Sequence, residues 1–237
     1  MLGKGLNRGA NMPLLFFFRS ICIGVGVMLM TACSSHSPPS DFYAGGYLAD
    51  RGVVRLWRKD DVQQHVTTLM TVYSPHQGQN TQITHSRFQQ GTVREIQQSK
   101  SGPPKEETRL RFDANGTVSY MQRQFPEHRE SLSEDEIALY QFDAKRMLEL
   151  SDALRVGNIQ LKQGIWQNNQ VMTCNGQLVR PDLDRSSLSW IAQRRQHSTG
   201  VLSIAWLESP EGSQLLLVVN TDFCRWEPTA KTIDMWE

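Results

Sequence analysis

Long apolar runs, cysteine and an excess of either charge are all scarce in this 237-residue chain. No apolar segment reaches the roughly 20 residues that a membrane-crossing helix needs. The longest candidate, Ile21 to Met30, is bounded by Arg19 on one side and a Ser/Pro-rich stretch on the other. The 25 basic and 24 acidic residues nearly cancel, so the charge balance gives no footprint for nucleic acid. Catalytic punctuation is missing as well. The chain has no G-x-S-x-G, no Walker loop, no G-x-G-x-x-G after a strand and no H-E-x-x-H. It therefore supports no enzyme class and calls for no cofactor. The six histidines are scattered, and only His76 and His85 are spaced to approach each other across a hairpin. No third ligand accompanies them, so they read as a surface pair and no metal is expected. No period of 20 to 50 residues repeats, which excludes a solenoid.

What is present at the start carries an address. Lys4, Arg8 and Arg19 precede the apolar stretch, and Thr31-Ala32 ends it in small residues. That order is the pattern of a secretory signal. Cys33 then follows at once, and Leu29-Met30-Thr31-Ala32-Cys33 resembles the bacterial lipobox, with Met30 where Leu is usual. The resemblance implies cleavage before Cys33 and acylation of its thiol. Stable anchoring takes more than one acyl chain, which a lipoprotein cysteine supplies. Ser34 stands where an Asp would imply inner-membrane retention, so the resemblance implies the periplasmic face of the outer membrane. An ordinary signal peptide cleaved after Ala32 is the competing reading. Either Met1 or Met12 serves as a start. The expected organisation is a signal peptide over 1-32, a lipidated tether over 33-42 and a single β-rich periplasmic domain over 43-237.

The four cysteines divide cleanly on that reading. Cys22 leaves with the signal and Cys33 carries lipid, which leaves Cys174 and Cys224 in an oxidising compartment, where they are expected to pair. A redox-active cysteine is the alternative, without a C-x-x-C or an adjacent His to support it. With Lys4, Arg8 and Arg19 removed, the mature chain carries 22 basic and 24 acidic residues, a net charge of −2.

The domain itself reads as α+β and β-rich: an antiparallel meander, curved or half-barrel in form, with two helices. Runs at 52–59, 66–73, 82–88, 92–98, 109–112 and 118–121 have strand composition, and Asn115-Gly116 marks a hairpin. In the first of these Val54, Leu56 and Arg58 share one face and Val53, Arg55 and Trp57 the other. Arg109 and Arg111 share a face that reads as solvated surface. Ser133-Glu134-Asp135-Glu136 is a capping box, and Ile137, Tyr140, Ala144, Met147, Leu148 and Leu154 continue at helical spacing toward Gly157. The long helix is thus expected over about 133-156, packed on the sheet, and a shorter one over about 186-196 after Asp182 and Asp184. A second hairpin is expected at Asn175-Gly176, with Cys174 at the end of its first strand. Gln214 to Val219 is continuously apolar and is expected to be a central strand. The tryptophans read as core and cover anchors.

Several stretches match one family in particular: Gly46-Tyr47-Leu48-Ala49-Asp50, Val53 through Asp60, Glu208 through Leu217 and Asp222-Phe223-Cys224-Arg225-Trp226. On these the chain resembles the YjaH-type lipoproteins of enteric bacteria, from Cys33 nearly to the C-terminus. The resemblance supports the lipid anchor and carries over no active site. The leading expectation is a non-catalytic outer-membrane lipoprotein with an accessory or binding role. Its partners would be the membrane through the N-terminal lipid, and an envelope protein or lipid ligand. The second expectation is a lipid or acyl-chain carrier, whose sheet and helix would enclose an apolar cavity lined by Trp and Leu.

Overall fold

The computed structural model describes residues 41–77 and 80–236. The signal, Cys33 and the tether to residue 40 lie outside them. Eight consecutive antiparallel strands form one sheet in sequence order: β1 (Phe42–Ala49), β2 (Gly52–Asp61), β3 (Val66–Pro75), β4 (Thr81–Gln89), β5 (Thr92–Ser101), β6 (Glu106–Phe112), β7 (Val118–Gln124) and β8 (Arg129–Glu130). Helix α1 (Glu134–Val156) follows. A second sheet of β9 (Gln160–Gln167), β10 (Gln170–Thr173), β11 (Leu178–Val179), β12 (Ser203–Ser209) and β13 (Gly212–Val219) has the order β11-β10-β9-β12-β13, with α2 (Arg185–Gln196) inserted between β11 and β12. The expected meander is present in its full length, and the sheet stays open instead of closing as a barrel.

Three apolar clusters stack these elements into four layers. Leu56, Leu69, Ile96 and Leu110 bury one face of the large sheet against Ala144 and Leu154 of α1. Val53, Trp57 and Val72 bury its other face against Leu161, Ala205 and Leu216 of the second sheet. Ile204, Trp206 and Val218 bury the far face of that sheet against Ile191 of α2. The order is therefore helix, sheet, sheet, helix. This explains why β2 is buried on both faces, a pattern that alternation alone reads as half-wet. It also corrects the expectation for residues 214–219. β13 is an edge strand, and its unbroken apolar run arises because the large sheet covers one face and α2 covers the other.

α1 begins as its sequence requires. The Ser133 hydroxyl accepts from the Glu136 amide and the Ser133 amide donates back to the Glu136 carboxylate, closing the capping box. Its stop differs in detail from the expectation. Gly157 keeps a right-handed conformation, and the reversal falls on Asn158, at φ 52°.

Residues beyond β13 form a clasp that strand patterning does not announce. A short 3-10 turn, Phe223–Arg225, drives Phe223 into the inter-sheet core. Ile233 follows it in, Asp234 takes Lys59 and the Thr68 hydroxyl, and Trp236 stacks on His85 at 5.0 Å with Arg87 over its ring. The basic face of Arg109 and Arg111 consequently borders this tail. Burial holds the His85 imidazole down to about 4. Between pH 6.5 and 4 the unfolded ring gains its proton first, so acidification lowers stability across that window. The contribution is complete above pH 6.5 and is lost as pH falls toward 4. For this half-buried ring it is on the order of 2 kcal/mol. His85→Phe keeps the stacking and removes the proton. Urea unfolding at pH 7 and pH 5 should show a smaller loss for the variant than for the wild-type chain, and equal losses would contradict the assignment.

Candidate functional site

The register of the large sheet writes the face beneath α1 in transverse rows. One row runs Tyr43, Arg58, Leu69, Ser86, Ile96 and Leu110. The next, two residues along each strand, runs Gly45, Leu56, Thr71, Thr84, Gln98 and Thr108. A third begins Tyr47, Val54, Tyr73 and Gln82. The face thus passes from apolar to hydroxyl- and amide-bearing along the strands. A helix laid across it packs closely on the first row and has little to bury on the other two.

Polar contacts fix α1 at both ends. Near its start Arg123 holds the Glu136 carboxylate at 2.7 Å, and Gln141 donates to the Gly116 carbonyl at 2.9 Å. Near its end Arg58 donates to the Ser151 hydroxyl at 2.7 Å and pairs with Asp152, while Arg155 pairs with Asp60 at 2.7 Å. Tyr43, whose hydroxyl donates to the Ile159 carbonyl, is pushed up to about 12 by burial, which Arg155 partly opposes. The middle turns, carrying Tyr140, Ala144 and Met147, span the polar rows and leave a half-open pocket of about 480 Å³. That lies within the size range of small-ligand sites.

Its apolar lining is Leu69 and Ile96 of the first row, Val54 of the third and Met147 of α1. Its floor is Thr71, Gln82, Thr84, Ser86 and Gln98, with the Tyr140 hydroxyl above. The floor is pre-wired: Gln98 donates from Nε2 to Thr84 at 3.1 Å, and Tyr140 donates to Gln98 Oε1 at 3.2 Å. Charges stand at the mouth, where Asp143 and Arg146 pair at 3.4 Å beside exposed Asp50. A larger groove of about 850 Å³ runs beside α2, but its lining is mostly exposed side chains, including Arg180, Arg185, Leu188 and Arg195.

The residues singled out in the sequence fall elsewhere. Cys174 and Cys224 are disulfide-bonded, linking the turn after β10 to the 3-10 turn after β13. Glu227 lies near the bridge, and with both sulfurs bonded the trio has no free thiolate to offer a metal. His76 and His85 do not meet: His76 is exposed beyond β3, whereas His85 lies opposite Met70 and under Trp236. Asp184 caps α2, accepting from the Ser187 amide at 2.8 Å, and hydrogen bonds from Ser187 and Ser186 hold its carboxyl down. Trp57 and Trp206 are fully buried and Trp166 nearly so; Trp190 is half exposed. The pocket floor was the missed feature. Its signal was available, since Thr84 and Gln98 occupy the strand face that the next helix has to cover.

The matching region extends well past the pocket. Residues 44–229 fit a family model described as "Protein of unknown function (DUF1481)", and the chain belongs to that family. Within it, the chain is 42% identical over 231 residues to "Uncharacterized protein YjaH" of Escherichia coli (strain K12), covering 97% of this chain and 99% of the relative. No solved structure matches.

Proposed function

We propose that this chain is a lipid-anchored, non-catalytic binding protein of the bacterial envelope, and that its ligand seats in the pocket beneath α1. The observation that carries the reading is the propped helix: a pre-wired hydroxyl and amide floor lies under a helix fixed at both ends. Such a floor orients a ligand, because its polar groups are already placed for hydrogen bonding. The lipobox at Cys33, with Ser34 after it, supports an outer-membrane address facing the periplasm.

The acyl-chain carrier keeps one supporting observation, the apolar side chains of Val54, Leu69, Ile96 and Met147 in the pocket lining. Its expected tryptophan lining is not what surrounds the pocket. A buried chain of methylenes would also cover the Thr71 hydroxyl and the Gln82 amide, which the Thr84–Gln98–Tyr140 hydrogen bonds do not engage. Each hydrogen-bonding group left unsatisfied costs about 1–3 kcal/mol. The floor therefore favours a ligand with polar groups of its own.

Thr84→Phe places a ring across the floor and leaves in place the polar contacts that fix the two ends of α1. Native mass spectrometry of the full chain, purified from envelopes in mild detergent, should find a bound small molecule on the wild-type protein. The variant should lose at least ten-fold of that occupancy while unfolding at a similar urea concentration. Equal occupancy in both would reject the pocket as the site.

A further inference from the structure

We infer that the pocket takes an uncharged saccharide unit, a conclusion that rests on the pocket being the ligand site. Four features point the same way. Every charged group in the lining stands at the mouth, and two of the three, Asp143 and Arg146, already neutralise each other. A charged headgroup would enter the enclosed part without a counter-charge, at a large desolvation cost. The floor offers hydroxyls and carboxamides, which both donate and accept, and that is the complement of a ring of hydroxyl groups. These groups spread over four neighbouring strand positions, with Thr71 opposite Thr84 and Thr84 opposite Gln98, and with Gln82 one step along. That is an array for a flat polyol and not for a single polar tip. Finally, Tyr47 and Tyr73 flank Val54 in one transverse row and place two aromatic side chains at one end of the pocket. The apolar face of a pyranose ring can lie against such rings while its hydroxyls reach the floor.

The same chemistry could arrive as a free sugar or as the head of a glycolipid, and the apolar wall of Leu69, Ile96 and Met147 would suit the first carbons of an aglycone. Octyl β-glucoside below its micellar concentration, glucose and octanoate separate these cases. Amide chemical shifts of the full chain, titrated with each, should move at Thr71, Thr84 and Gln98 with octyl glucoside. Octanoate should bind at least ten-fold more weakly. Gln98→Met, close in shape and without the amide, should weaken octyl glucoside at least five-fold. Tyr47→Leu, which removes a ring at the partly exposed end and leaves the floor intact, should weaken it as well. Binding by glucose alone would support a free saccharide, and binding that needs the octyl chain would support a glycolipid head. Octanoate binding as tightly as the glucoside, or neither variant weakening it, overturns the inference. If Thr84→Phe loses the envelope-derived molecule and no glucoside binds, only the sugar assignment falls. If Thr84→Phe retains that molecule, the pocket reading itself falls.

Discussion

Replacing both Cys174 and Cys224 with alanine should lower unfolding free energy by about 4 kcal/mol at the upper bound of the chain-entropy model, and by no less than about 2 kcal/mol. The bridge closes 50 residues of chain. Without it the unfolded ensemble regains the freedom of that loop, while the folded protein loses little contact. The consequence concentrates in the C-terminal clasp. Cys224 lies in the turn that inserts Phe223 between the sheets, and Trp226, Ile233 and Trp236 all follow it. Denaturant unfolding of the double variant should therefore show a lower midpoint. The thermal midpoint should fall by about 10 °C for a domain of this size. Amide exchange should accelerate first over 222–236. A double variant as stable as the wild-type protein would show that the bridge is incidental to the fold.

The second large effect belongs to Arg55, which lies in the inter-sheet core at 2% exposure. Its guanidinium donates to Gln163 Oε1 at 3.2 Å and to the Ser74 hydroxyl at 3.3 Å, and it lies over the rings of Phe223 and Trp226. Burial lowers its pKa to about 10, against the opposing pull of Glu227, so the group remains a cation at neutral pH. Burial in turn raises the Glu227 carboxyl, while the Gln163 hydrogen bond, Arg55 and Trp57 act in the other direction. Arg55→Ala deletes the cation, leaves a cavity and strips Glu227 of its counter-charge. Gln163 relays between the two charges, accepting from Arg55 and donating to Glu227 at 3.1 Å, so the loss should be about 3 kcal/mol, the lower end of the cost of uncovering a buried charge. Arg55→Met fills the space and should cost less. Adding Glu227→Gln to Arg55→Met should restore part of the loss, since the amide needs no counter-charge. The double-mutant cycle in urea measures this, and strict additivity would contradict a coupled pair.

How much of this was legible depended on range. The capping box at Ser133 and the Asn-Gly hairpins are local signals: they place α1 and β10–β11 within a residue and the turn between β6 and β7 correctly, while each of those two strands runs three residues further from the turn than expected. Alternation alone puts Arg55 on one face with Val53 and Trp57, yet nothing in alternation says that a second sheet covers that face. The unbroken run of β13 has the pattern of a central strand although β13 lies at the edge, because continuous apolar character reports two covered faces and not sheet order. The clasp at Ile233 and Trp236 depends on a path through loops with no periodicity. The pocket was hidden for a further reason. Thr71, Thr84 and Gln98 look like ordinary polar strand residues until the register aligns them under a helix. Only then does the stand-off between α1 and the sheet become a site.

The most direct measurement for that site is an amide chemical-shift map of the full chain titrated with the small molecule eluted from envelope-purified protein. Shifts should concentrate at Thr71, Thr84, Ser86, Gln98 and Tyr140, with α2 and the second sheet undisturbed. Shifts centred on the groove beside α2, at Arg180, Arg185 and Leu188, would contradict it.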